Sequence, residues 1–152
     1  MHLPDHSFDV VISNCVLNLV PDKQKAFSEI YRLLRPDGHF CISDVVTTGK
    51  LPEGLKEAAE MYAGCISGAT EKQEYLKIIE KQGFSQIEIC KEKPIVIPDK
   101  VLSGYLNESE LNQFENSGAG IYSITVTAKK TAYSPSDLNL SAMRIRSLFI
   151  RS

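Results

Sequence analysis

The strongest constraint on the fold is a change of hydrophobic period along residues 8–46. Phe8-Asp9-Val10-Val11-Ile12-Ser13 is a short, β-branched, nearly continuous apolar run, the pattern of a strand covered on both faces. Pro21-Asp22 opens a helix in which Ala26, Phe27, Ile30, Leu33 and Leu34 recur at helical spacing. Arg35-Pro36-Asp37-Gly38 ends it. His39 to Val46 reads as the next strand. Strand, helix and strand joined so closely form a βαβ unit, normally a right-handed parallel crossover. The chain is therefore expected to be α/β.

Beyond Val46 the signals thin out. A helix is expected from Glu53 to about Tyr62, with Leu55, Ala58, Ala59 and Tyr62 on one apolar face. Another begins at Thr70, where Thr70 and Gln73 match a capping box, Leu76 and Ile79 face inward, and Gly83 is the stop. Residues 84–89 and 122–128 alternate as strands. The stretch 93–120 lacks a period and reads as a loop with a short helix near residues 109–114. Residues 1–130 form one unit, and 131–152 are set apart as a tail. There Met143, Ile145, Leu148 and Ile150 interleave with Arg144, Arg146 and Arg151. The tail reads as a disordered or non-native extension, with a docking helix for a partner or membrane surface as the other reading.

Charge and cysteine usage exclude several classes. A net charge of −2 offers no basic footprint, so nucleic acid is not an expected partner. No apolar run approaches the roughly 20 residues that cross a bilayer, and Met1-His2-Leu3-Pro4-Asp5 is unlike a signal peptide. No membrane association and a cytoplasmic location are expected. Cys15, Cys41, Cys65 and Cys90 show no paired spacing, which reads as thiols rather than a disulfide framework. Cys41 and Cys90, inside strand patterns, read as small buried hydrophobes. His2, His6 and His39 do not combine with the cysteines into a zinc pattern.

Two cysteine-bearing segments carry a sharper signal. Ile12-Ser13-Asn14-Cys15-Val16-Leu17-Asn18-Leu19 and Met61-Tyr62-Ala63-Gly64-Cys65-Ile66-Ser67-Gly68-Ala69 are similar to the thiol segments of S-adenosylmethionine-dependent arsenite methyltransferases. Residues 3–46 resemble the fourth strand, following helix and fifth strand of a class I methyltransferase, and the resemblance runs over about residues 3–128. It implies a partial class I (Rossmann-like) fold lacking the first three strands, with the last strand inserted antiparallel. It further implies that Cys15 and Cys65 bind As(III) and that S-adenosylmethionine is the methyl donor. Ser13 and Asn14 would lie at the floor of the donor site. A third thiolate would come from a small thiol or from a cysteine of the absent N-terminal part. The chemistry is coherent, because soft thiolates select soft metalloids over hard ions.

The glycine-rich turn and the ribose-binding acid of that family have no counterpart. Gly118-Ala119-Gly120, the single G-x-G, precedes a strand and reads as a loop. The isolated chain is thus expected to bind the donor weakly and to be inactive. The strand at residues 8–13 would become an open edge, inviting a homodimer. Asp44 would line the substrate pocket or cap the following loop, and Asn14 and Asn18 would orient the thiol loop or satisfy its backbone. Tyr62 would pack on its helix face. Two other readings stay open: a methyltransferase acting on carbon or oxygen of a small molecule, with incidental thiols, and a non-catalytic thiol-binding or dimerisation module.

Overall fold

Helix gives way to strand at Leu34, a residue expected on the helical face, so the second strand begins before the expected His39. In the computed structural model, which describes residues 3–62, 64, 66, 68–131 and 147–151, strand β1 (Phe8–Asn14) leads through a 3₁₀ turn (Leu17–Leu19) into α1 (Lys23–Leu33). Asp22 caps α1 by accepting the Lys25 amide at 2.9 Å. Strand β2 (Leu34–Thr48) returns parallel to β1, with Val11 opposite Phe40 and Asn14 opposite Ser43. The expected βαβ unit is present.

Helix α2 (Glu53–Tyr62) follows, then β3 (Thr70–Glu71), α3 (Lys72–Lys81), β4 (Phe84–Pro94), α4 (Asp99–Leu102), α5 (Glu108–Ser117) and β5 (Gly120–Lys130). β5 lies antiparallel between β2 and β4, as the resemblance implied. The outer strand β4 is blunted by register breaks and by exposed Glu88, Lys91, Glu92 and Lys93, which discourage further pairing.

Several expectations are corrected. Thr70 does not cap α3. It pairs with Val46 of β2, so the cap passes to Glu71, which accepts the Glu74 amide. The inward face of α3 is Tyr75, Ile78 and Ile79, and Leu76 is only half-buried. The short helix expected near residues 109–114 is present as the longer α5, opened by a reciprocal capping box between Asn107 and Glu110, and α4 is a further helix that was not expected in this stretch. That N-x-x-E signal was present in the sequence. Met61 and Tyr62 are exposed at the end of α2, Cys90 is exposed, and Cys41 is half-buried.

Within the tail, residues 147–151 form strand β6, parallel to β1 from Val10 opposite Ser147 to Asn14 opposite Arg151. Residues 132–146 lie outside the described residues. The edge of β1 expected to be open for a second copy is occupied by this chain's own strand. The physical reason is that unpaired amides and carbonyls take the strand available to them, and half-buried Leu148 adds to the apolar packing there.

Two cores flank the sheet. On one face Phe27 of α1 and Tyr75 of α3 pack over Phe40 and Phe84, with Phe27–Tyr75 and Phe40–Phe84 ring centroids 5.5 and 4.9 Å apart, both edge to face. On the other, Leu55, Ala58 and Ala59 of α2 join Leu102 and Leu106 against Val45 and Ile121. Alternation along β2 sends Val45 and Val46 to opposite cores. Among the described residues no helix is long and apolar enough to cross a membrane.

Candidate functional site

Strands β1 and β2 both deliver their C-terminal ends to one rim of the sheet, where parallel α/β proteins generally bind ligands. β1 stops there abruptly. Asn14 is exposed, and Cys15 takes a left-handed backbone, φ 53°, while its amide still donates to Ser43 O at 2.8 Å. That conformation costs a non-glycine residue about 1–2 kcal/mol and turns the chain out of the sheet directly at the cysteine. Leu17 and Asn18 are buried in the turn that follows.

The turn is anchored from below by Asp44. This carboxylate is 1% exposed and accepts the Asn18 amide on Oδ1 at 3.1 Å and the Tyr75 hydroxyl on Oδ2 at 3.0 Å. Burial holds the Asp44 carboxyl up at about 6 against an ordinary 3.8, while the Tyr75 and backbone hydrogen bonds and the charge of Lys23 pull it back. Burial, reinforced by Asp44, pushes the Tyr75 phenol well above its ordinary value, so it remains a donor. Asp44 therefore holds the preceding loop.

The second thiol segment reaches the same place. Gly68 lies so close to the first loop that a Cβ there would stand 1.9 Å from Asn18 O. Only glycine permits that approach. Lys23 bonds both segments, donating to Gly68 O at 2.9 Å and to Asn18 O at 3.3 Å. Cys65 itself lies outside the described residues, and its neighbour Ile66 is buried among the α2 core residues. Beside Ile66 and Ala69 a cleft of about 510 Å³ opens between the end of β2 and α2, with Thr47, Lys50 and Glu57 among its walls.

Of the other expected residues, Ser13 is 2% exposed, and its hydroxyl has no hydrogen-bond partner among the described residues. Gly118 and Gly120 make a helix-to-strand turn, with Gly118 left-handed at the end of α5, unlike a cofactor turn. Lys23 and Tyr75 were missed by sequence reasoning. A lysine in the first turn of a helix, where the dipole disfavours a cation, was the available signal. Tyr75 sits among helical apolar residues and is indistinguishable there from core.

Comparison with known proteins points in one direction. A family profile described as a methyltransferase domain matches residues 1–83. The arsenite methyltransferase of Halobacterium salinarum is 35% identical over 133 residues, 86% of this chain and 32% of that protein. That of Aquipseudomonas alcaligenes is 36% identical over 109 residues, covering 72% of this chain and 32% of the relative. Among solved structures, an arsenic(III) S-adenosylmethionine methyltransferase from Chlamydomonas reinhardtii superposes with a TM-score of 0.65 at 33% identity, over 86% of this chain and 40% of that one. The chain spans about a third of the length of these curated relatives.

Proposed function

Because the chain belongs to the methyltransferase family by the match over residues 1–83, we propose that it supplies the acceptor side of an arsenite methyltransferase, with Cys15 and Cys65 as thiolate ligands to As(III). The observation that carries this reading is the contact between the two thiol segments at Asn18 and Gly68, on the rim formed by the ends of β1 and β2. The names of the relatives supply the substrate class.

Each structural feature then has a task. The left-handed turn at Cys15 presents the first sulfur where β1 ends. The Asp44 anchor fixes the loop that carries it. Two thiolates chelating As(III) leave one coordination position for a small thiol, and the arsenic lone pair is the nucleophile. Holding acceptor and methyl carbon at about 3–3.5 Å in line is the main contribution expected of such a site.

S-adenosylmethionine supplies an electrophilic sulfonium methyl when bound. The residues present fit part of its site: Ser13 has a buried hydroxyl with no hydrogen-bond partner among the described residues, and Asn14 is exposed beside it. Within the described residues no glycine-rich turn links a strand to a helix, so this chain is expected to bind the donor weakly and to turn over little or nothing by itself.

Calorimetric titration with arsenite tests the reading. Wild-type chain is expected to bind one As(III), and a Cys15→Ser, Cys65→Ser double variant to lose at least tenfold in affinity, about 1.4 kcal/mol. Equal binding by the double variant would leave a methyltransferase remnant with incidental thiols.

A further inference from the structure

Lys23 opens α1 and is half-buried, its ammonium directed at backbone carbonyls. A half-buried ammonium has three donors, and three carbonyls surround this one: Gly68 O at 2.9 Å, Asn18 O at 3.3 Å and Val20 O at 3.3 Å. Asn18 and Val20 belong to the loop that follows Cys15, and Gly68 to the loop that follows position 65. The same residue Asn18 gives its amide to Asp44, and Asp44 favours the charged form of Lys23 against the burial that lowers it. One side of the Asn18 peptide region is thus held by an anion and the other by a cation.

We propose that Lys23 is a positioning residue that ties the loop after Cys15 to the second thiol segment at Gly68 and so sets how closely the two segments approach. The functional part of this inference rests on the thiol reading above; the tie itself does not. Chelation by two sulfurs depends on their spacing, whereas alkylation of either sulfur alone does not. Loss of Lys23 therefore separates the two chemistries. A residue needed only for folding would lower global stability and leave the two in step.

Hydrogen exchange and arsenite titration of the full chain, wild type and Lys23→Met, decide between these. Removing charge-assisted hydrogen bonds is expected to accelerate exchange roughly tenfold in residues 15–20 and 64–69, with β2 and β5 unchanged. Arsenite affinity is expected to fall by about tenfold while iodoacetamide modifies both cysteines at wild-type rates or faster. Lys23→Arg keeps the charge and several donors and should restore part of the loop protection. Should Lys23→Met fail to fold, the smaller change Lys23→Gln is read the same way. Unchanged exchange in both loops overturns the proposal. Faster exchange alongside arsenite binding that ignores the Cys15→Ser, Cys65→Ser change upholds the tie and overturns the thiol reading instead.

Discussion

The phenol of Tyr75 donates to Oδ2 of Asp44 at 3.0 Å in the interior, joining α3 to the end of β2 directly beneath the Cys15 loop. The opposite oxygen of the same carboxylate receives the Asn18 amide. A side chain with this burial is a poor surface feature and an effective internal brace. The pair links the packing of the helical face to the position of the proposed ligand loop.

The first prediction concerns pH. The Asp44 carboxyl is held at about 6 in the fold against an ordinary 3.8, a difference of ~3 kcal/mol between its two protonation states. A carboxyl raised in the folded state makes its full contribution below about 3.8 and loses it as pH rises through about 6. Asp44→Asn should therefore gain stability relative to wild type between pH 4 and pH 7, by ~3 kcal/mol at most. Urea unfolding of both proteins across that interval checks this; parallel curves would sink it. The same substitution should weaken arsenite binding, since one of the two oxygens that accept from Asn18 and Tyr75 becomes an NH2 donor.

Glycine at position 68 is the second test. A methyl group there meets the Asn18 carbonyl oxygen at 1.9 Å, and because that atom is backbone a loop must move. Gly68→Ala is expected to cost about 1–3 kcal/mol in stability and to lower arsenite affinity by a comparable factor. Gly64→Ala, where a Cβ meets nothing within 4 Å among the described residues, is the control and should change neither. Equal behaviour of the two variants in thermal melts and titrations would show that the loops do not need their close approach.

Lys130 provides a prediction far from the site. It is 1% exposed, donates to Tyr31 O at 2.6 Å and Leu34 O at 2.9 Å, and lies 4.3 Å from the Tyr31 ring centroid. It joins the last residue of β5 to the C-terminal end of α1 and the start of β2. Lys130→Met keeps the stem but removes the donors, and should destabilise the fold by about 2 kcal/mol. Arsenite affinity should be unaffected. Chemical unfolding together with the arsenite titration separates this structural role from that of Lys23.

Some of this architecture was written locally. The continuous run at residues 8–13 and the helical spacing of Phe27, Ile30 and Leu33 each reflect geometry that a few neighbouring residues impose by themselves. The two cysteine segments were legible for the same reason, as contiguous strings resembling a known pattern. Thr70 shows where such reading stops. Its side chain suits a cap, but the backbone of β2 offered a better partner to its peptide groups, and no local pattern reports that competition.

The amino-acid order alone determined the class of fold, the strands and first helix that build the rim, and which cysteines deserved attention, because periodicity and short motifs act over one or two turns of chain. Only the folded molecule decided that Asp44 is a buried brace, that Lys23 spans two loops, that Gly68 must lack a side chain, and that residues 147–151 fill the edge of β1. Those outcomes depend on which distant atoms come within a few ångströms of one another. Burial and long-range hydrogen bonding are properties of that arrangement, and no stretch of sequence contains them.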